Sequence, residues 1–473
     1  MAHRLARYLF PLLIFVLAFT LRLYRLPERA IFTADEEYQA TYARTIVEDF
    51  HPVWIGVSAG DTGFYLGPYF TYFTAFWLAI SGGDPLITAY VAAFIGSITC
   101  VLLYYLGKTI STLRVGITAS LMYALSPWVI YHDQRYWNPS PAPLLSILLL
   151  ISLYKLKSSP WWLAVIAFVC SAFWHIHLSL VPLTLVAILG IWQYRRTITA
   201  RVWIVSSIIF ILMLAPLFIF DYYHNWSNLL TPYRLASRAS HSFQLPQHLV
   251  SLGETLGRAL HLDPGTDPSG EIRPGHPSAS WTTPSTWLVV LSLLALFIKT
   301  GNPYLTFAIF LLTLSYLLYP GPVTGYYALG LIPLYFIQLA KLFTRYRLGY
   351  LLILVYAIFS LSTLSSTSET YGYHAKRELI EDVASYLGDN SFSLSEEGTA
   401  HKYGGWRYLF TVYGKYPASS SADASLAWLY PQEIGGPSRY HVLVGATKEF
   451  EIPSGSLALY QSGGYTAVIT YAK

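Results

Sequence analysis

The run Thr33-Ala34-Asp35-Glu36-Glu37-Tyr38 places three acids side by side, directly after an apolar stretch ends. Carboxylates do acid–base chemistry, and a charged cluster at the edge of an apolar segment is read as a functional site. A structural reading stands beside it. Thr33 and Glu36 have the spacing of a capping box, and acids in a first turn are favoured by the helix dipole. A second polar island, His132-Asp133-Gln134-Arg135-Tyr136-Trp137-Asn138-Pro139, packs an acid, a base, an amide and two aromatics between two apolar runs. The guanidinium of Arg135 suits bidentate phosphate binding; its alternative is an ordinary ion pair with Asp133. His175 and His177 close a third apolar run. Two positions apart, they face different sides of a helix and chelate one metal only if the helix breaks there. Either one is a phosphate contact or a hydrogen-bonded interfacial histidine. Gly325-Tyr326-Tyr327 opens a later run, as a substrate contact or as part of an aromatic belt.

The elements that must position these residues are set by an oily chain. Of 473 residues, 54% are hydrophobic and 12% charged, with mean hydropathy +0.44. Soluble domains carry about 25% charged residues, so the shortage points to lipid as the main solvent. The net charge of +5 is dealt out between apolar runs, which argues against nucleic acid as a partner. Cys100 and Cys170 lie inside apolar runs, with no disulfide framework and no CxxC motif. Arg4 and Arg7 precede a run from Tyr8 to Thr20 that continues through Arg25 without a small-x-small cleavage site. It reads as an uncleaved first helix.

Apolar segments lie near 8–24, 86–106, 115–131, 142–154, 161–177, 178–192, 202–220, 286–298, 303–319, 325–340 and 348–364. Most approach the ~20 residues a bilayer core demands. The stretch 64–82 is the ambiguous one. Leaving it out puts Arg4, Arg7, Lys108, Arg114, Lys155, Lys157, Arg195, Arg196, Arg201, Lys299, Lys341, Arg345 and Arg347 on one side. The short loops opposite then hold Arg135 and little else basic, the bias of cytoplasmic against external loops. With Gly67-Pro68 and Tyr65, Tyr69 and Tyr72, the stretch reads as a juxtamembrane helix outside.

The expected fold is therefore an all-α polytopic membrane protein with about eleven transmembrane helices and juxtamembrane helices. Residues 1–364 form the membrane domain, with external loops 25–85, 132–141 and 221–285; residues 365–473 form a small extracytoplasmic α+β domain. A helix over 34–49 should lie along the membrane surface. The loop 221–285 reads as irregular, from Asp263-Pro264-Gly265 and Arg273-Pro274-Gly275-His276-Pro277. In the C-terminal part, Ala375–Leu387 has helical spacing, and 441–444, 456–460 and 467–471 alternate as strands do.

In order and spacing these motifs resemble the membrane glycosyltransferases of the GT-C type, over roughly residues 1–340. The nearest are bacterial family-39-like enzymes akin to the protein O-mannosyltransferases and the aminoarabinose transferase of lipid A. The residues that carry the resemblance are Asp35-Glu36, Gly67-Pro68-Tyr69-Phe70, Leu106-Gly107-Lys108, Ser126-Pro127-Trp128 and Arg135-x-Trp137-Asn138-Pro139-Ser140. A histidine at a later helix end and an aromatic opening a late helix complete it. One departure is plain: Leu66-Gly67-Pro68 stands where those families place a Lys or His before the proline.

The resemblance implies an inverting transfer from a polyprenyl-phosphate-linked sugar, with no covalent intermediate, on the extracytoplasmic face of the plasma membrane. Asp35 would be the general base, and Glu36 would position the acceptor, support a metal or cap the helix. Arg135, with His175 or His177, would hold the donor phosphate. Asp133 would be a second acidic group, and Asn138, Tyr326 and Tyr327 substrate contacts. A divalent metal ion is compatible with this chemistry, though no ligand set here demands one. The acceptor, whether glycan, lipid or protein, is left open, as is a polymerase or ligase variant. The rival from another class is a transporter or flippase for a lipid-linked saccharide. It would be marked by internal repeats and midplane polar groups, and neither stands out in the sequence.

Overall fold

The computed structural model describes residues 2–238, 245–260, 284–296, 301–321, 323–366, 370–397, 404–422, 424–430, 437–447 and 450–472. Each of the apolar segments coincides with a helix. These are α1 (Ala2–Leu23), α5 (Leu86–Ile110), α6 (Leu113–Leu125) with α7 (Pro127–Asp133), α8 (Ala142–Leu156), α9 (Trp162–Ile176), α10 (Leu183–Tyr194), α11 (Ala200–Tyr223), α14 (Pro284–Ala295), α15 (Pro303–Leu317), α16 (Ile332–Phe343) and α17 (Arg347–Ser366). Among the described residues four helical stretches can cross a membrane by length and composition: Leu86–Ile110, Leu178–Thr197, Ala200–Tyr223 and Arg347–Ser366. The pair α6–α7 makes a fifth if taken as one span bent by 70°. The protein is a multi-pass membrane protein.

The bend has a local cause. Pro127 supplies no N–H and crowds the turn before it, while Ser126 accepts the Val129 N–H at 3.3 Å and starts a new helix. The same hydroxyl donates to the Ala259 carbonyl at 2.8 Å.

Between α1 and α5 lie α2 (Leu26–Arg29), α3 (Ala34–Glu48) and α4 (Tyr69–Ser81). At 13 residues, α4 is ~20 Å long against a ~30 Å hydrocarbon core. It packs on α3, α5 and α9.

One expectation fails. The segment 221–285 is not irregular throughout, because α12 (Ser227–Arg238) and α13 (Leu245–Ala259) lie within it. Asp221 supplies the reason for α12: its carboxylate accepts the N–H groups of Asn228 (2.8 Å) and Leu229 (3.1 Å) at the helix start. In α13, Leu252, Leu256 and Ala259 repeat at helical spacing and join the main core. The Asp263-Pro264-Gly265 and Arg273–Pro277 motifs lie outside the described residues.

The C-terminal part runs through α18 (Tyr373–Leu387), β1 (Phe392–Glu397), α19 (Trp406–Tyr413), β2 (Ser419–Ser420), β3 (Tyr440–Ala446), β4 (Ala458–Ser462) and β5 (Tyr465–Tyr471). The sheet order is β2-β1-β3-β5-β4, parallel where β1 meets β2 and β3, antiparallel elsewhere. Phe392, Leu394, Val442, Val444, Ala467 and Ile469 share one core with Leu379, Val383, Leu409 and Phe410. That core also takes in Phe32, Ala40, Ala43, Leu78 and Ala93, so it crosses the 364/365 boundary. The sheet and the segment between α1 and α5 share one core.

Candidate active site

Thr33 begins α3 with its side chain accepting the Asp35 N–H, and Glu36 closes the capping box by taking the Thr33 N–H at 2.9 Å. The helix start divides three neighbouring acids. Glu36 and Glu37 turn inward and are buried, whereas the Asp35 side chain is 64% exposed. Arg135 lies across the same turn. Its Nε donates to Glu36 Oε1 at 2.6 Å, and its Nη2 donates to Thr33 Oγ1 at 3.2 Å and Asp35 Oδ2 at 3.3 Å. Capping and charge pairing by Glu36 are thus one arrangement.

The loop 132–141 is buried, so Arg135 is not an exposed loop base. Burial would lower its pKa, but Glu36 and Asp35 override that and hold the guanidinium above its ordinary value. The guanidinium lies 3.7 Å over the Trp137 ring, and Ser140 Oγ bonds the Arg135 carbonyl at 2.7 Å and the Trp137 N–H at 3.1 Å. Nη1 takes no partner among the described residues.

Asp133 is placed elsewhere, and its pairing with Arg135 is corrected. Its Oδ2 accepts Arg22 Nε at 2.8 Å and Nη2 at 2.6 Å, in a pair that is 0% and 6% exposed. Gln134 Nε2 adds a bond to the Arg22 carbonyl at 2.7 Å. The end of α1 therefore clamps the end of α7 just before Arg135. A Cβ on Gly96 would come within 2.3 Å of the Asp133 carboxyl, so α5 can pass there only as glycine. Arg22 was legible as a charge ending an apolar run; its partner 111 residues on was not.

His175 and His177 do not stand together. The His175 ring bonds the Met213 carbonyl through Nε2 at 2.9 Å, and Nδ1 accepts the Tyr69 N–H at 3.4 Å. Both nitrogens are engaged by backbone, so His175 ties α4, α9 and α11 together. A phosphate contact at His175 would have to displace one of these backbone bonds. A Cβ at Gly67 would lie 2.0 Å from His175 Nδ1, which accounts for glycine before Pro68. Asn138, expected to touch substrate, donates to the His175 carbonyl at 3.2 Å. The chain leaves α9 at His177, whose Nδ1 bonds Ser179 Oγ at 2.8 Å.

His177 packs against Tyr326 and Tyr327, with ring centroids 5.8 and 5.3 Å away. Tyr326 in turn lies 4.4 Å from Trp137 and within electrostatic reach of Asp35 and Arg135. The structure thus brings Asp35, Glu36, Arg135, Trp137, Tyr326, Tyr327 and His177 into one neighbourhood. Beyond Tyr69, an apolar cavity of about 420 Å³ opens between Pro52, Val53, Trp54, Tyr72 and Pro216. Among the described residues no three His, Cys, Asp or Glu converge as metal ligands. The acids present are paired with arginines, hydroxyls and backbone N–H groups instead.

No protein-family model matches the chain, and no sequence among the curated proteins does. Solved structures do. ArnT from Cupriavidus metallidurans, bound to undecaprenyl phosphate, superposes with TM-score 0.56 at 11% identity, over 98% of each chain. The fold is of the GT-C type. The archaeal oligosaccharyltransferase AglB from Archaeoglobus fulgidus, in complex with an inhibitory peptide and a dolichol-phosphate, gives 0.50 at 10% identity. That match spans 94% of this chain and 70% of AglB. An Archaeoglobus fulgidus oligosaccharyltransferase in the apo form also gives 0.50, at 12% identity over 91% of this chain and 69% of that one. The GT-C helical scaffold with its C-terminal sheet is therefore shared at identities too low for residue-by-residue transfer.

Proposed function

We propose that this GT-C protein moves a sugar from a polyprenyl-phosphate donor to an acceptor on the extracytoplasmic side, with inversion and with Asp35 as general base. The observation that carries the reading is one exposed carboxylate set beside one buried, aromatic-stacked guanidinium, soon after the first apolar helix ends. The acceptor oxygen or nitrogen attacks the anomeric carbon opposite the phosphate. The bond from that carbon to the phosphate oxygen breaks, and Asp35 takes the acceptor proton. The leaving phosphate keeps the electron pair, and its charge is met by Arg135 through Nη1. Tyr326, Tyr327, Trp137 and His177 line the region where a sugar would sit. The apolar cavity beside Tyr69 suits the start of a polyprenyl chain. The lipid phosphates in the ArnT and AglB structures support a donor of this class. About eleven crossings, with the N-terminus cytoplasmic, follow from the charge bias of the loops.

The test is turnover of purified wild type and Asp35→Asn with short-chain polyprenyl-phosphate sugars, following free polyprenyl phosphate. Release by wild type with a loss of about 100-fold or more in the variant is expected of a general base. Binding without release by the wild type, and equal binding by the variant, would leave no enzyme and point to transport.

A further inference from the structure

The third acid of the run, Glu37, takes no part in that mechanism, yet it is 1% exposed. Two positions after Asp35 on a helix of 3.6 residues per turn, it points to nearly the opposite side of α3. There its carboxylate accepts the Tyr408 N–H at 3.2 Å and the Tyr430 hydroxyl. The same hydroxyl bonds Thr41 Oγ1 at 2.9 Å, one turn further along α3. A second buried charge comes from the other direction. Lys376, 0% exposed, donates to the Phe32 carbonyl at 2.8 Å and to the Gly404 carbonyl, with its ammonium 4.6 Å over the Trp406 ring. Gly405, at φ 93°, presses against the same turn: a Cβ there would lie 2.9 Å from the Thr33 carbonyl oxygen. Tyr373 N–H to the Ala30 carbonyl (2.7 Å) and Arg44 Nη1 to Thr411 Oγ1 (3.0 Å) extend the seam.

Adhesion alone does not call for this. Apolar contact would hold the two parts together, and buried charges carry a desolvation cost unless paired. What hydrogen-bonded charges add is a fixed geometry. Asp35 needs it: the carboxylate is 64% exposed and meets Arg135 at 3.3 Å, and the backbone of this turn sets the direction from which it reaches the site. A base or nucleophile displaced by ~1 Å costs on the order of 100-fold in rate.

We propose that Glu37 and Lys376 are positioning residues: they lock the C-terminal domain against the Phe32–Glu37 turn from behind and so fix Asp35 for proton transfer. The C-terminal domain is then part of the catalytic unit. The inference rests on Asp35 being the base, and the experiment separates the two.

The full chain is assayed with the short-chain polyprenyl-phosphate sugars used above, as Glu37→Ala, Glu37→Gln and Lys376→Met, each in wild-type and Asp35→Asn backgrounds. Glu37→Ala and Lys376→Met are expected to lower kcat by about 10- to 100-fold, with donor KM moved less than about threefold. Glu37→Gln keeps an acceptor oxygen and should recover most of the rate. In the Asp35→Asn background Glu37→Ala should cost nothing further, because a residue acting through Asp35 has nothing left to place. Hydrogen exchange supplies a readout free of turnover: amides of 30–41 should lose protection in Glu37→Ala and Lys376→Met. Equal losses in both backgrounds, a Gln variant as poor as Ala, or unchanged exchange would overturn the proposal. Wild-type turnover in Asp35→Asn alone would overturn the base assignment instead, and the exchange result would still decide the brace.

Discussion

Asp35 and Glu36 are chemically alike and one bond apart, yet the first turn of α3 sends one outward and buries the other against Arg135. Their variants should therefore fail differently. Glu36→Ala removes the partner of a buried guanidinium and the return bond of the capping box. Breaking a buried pair costs about 3–5 kcal/mol, so the thermal midpoint in detergent should fall by several degrees. Asp35→Asn changes an exposed carboxylate and should leave that midpoint nearly unmoved while turnover collapses. A large thermal loss in Asp35→Asn would assign it a structural role. The sequence shows the acids and the capping spacing plainly, but not which acid is exposed. That depends on Arg135, 100 residues away, and on whether the 132–141 loop is buried. The choice between Arg135 and Arg22 as the ion-pair partner of Asp133 is of the same kind, since local spacing favours the near partner and the fold supplies the far one.

At the scale of elements, helix positions were legible because twenty-residue apolar runs and Pro or Ser at their starts are local signals. Contacts between helix ends were not. Gly67 looks like a missing cation from sequence alone, whereas in the structure it is the space that the His175 ring fills. Gly67→Ala should force α4 away from α9 or drive the ring off the Met213 carbonyl, a strain of about 1–3 kcal/mol. Adding His175→Ala removes the obstacle. The double variant should then be more stable than the two single losses predict, by the coupling expected of groups in contact. Additive losses in thermal midpoint would mean that the ring is held elsewhere in solution. The helices α12 and α13 escaped the sequence reading for a related reason. Proline and glycine at 263–277 coloured the whole segment, while the Asp221 cap and the Leu252–Leu256 spacing lay just upstream.

For the whole molecule, sidedness is the property that local geometry leaves open, and the shared core makes it a single question. Phe32, Ala40 and Ala43 pack in one cluster with Leu394, Val442 and Ile469. Asp35 and the C-terminal sheet must therefore lie on the same side of the membrane. On the proposed topology that side is outside, opposite Lys155 and Lys157. Both native cysteines are buried, so new ones can be read against a low background. Tyr471, 62% exposed on the last strand, and Lys157, exposed between α8 and α9, are suitable sites. An impermeant maleimide added to intact cells should label Tyr471→Cys, and should label Lys157→Cys only after permeabilisation. The reverse pattern would turn the protein over, place Asp35 in the cytoplasm and require a donor presented from the inner leaflet. Labelling of both sites in intact cells would instead break the parity of crossings between α8 and the C-terminal sheet. The short helices α9, α15 and α16 would be where to look for a segment that enters the bilayer without crossing it.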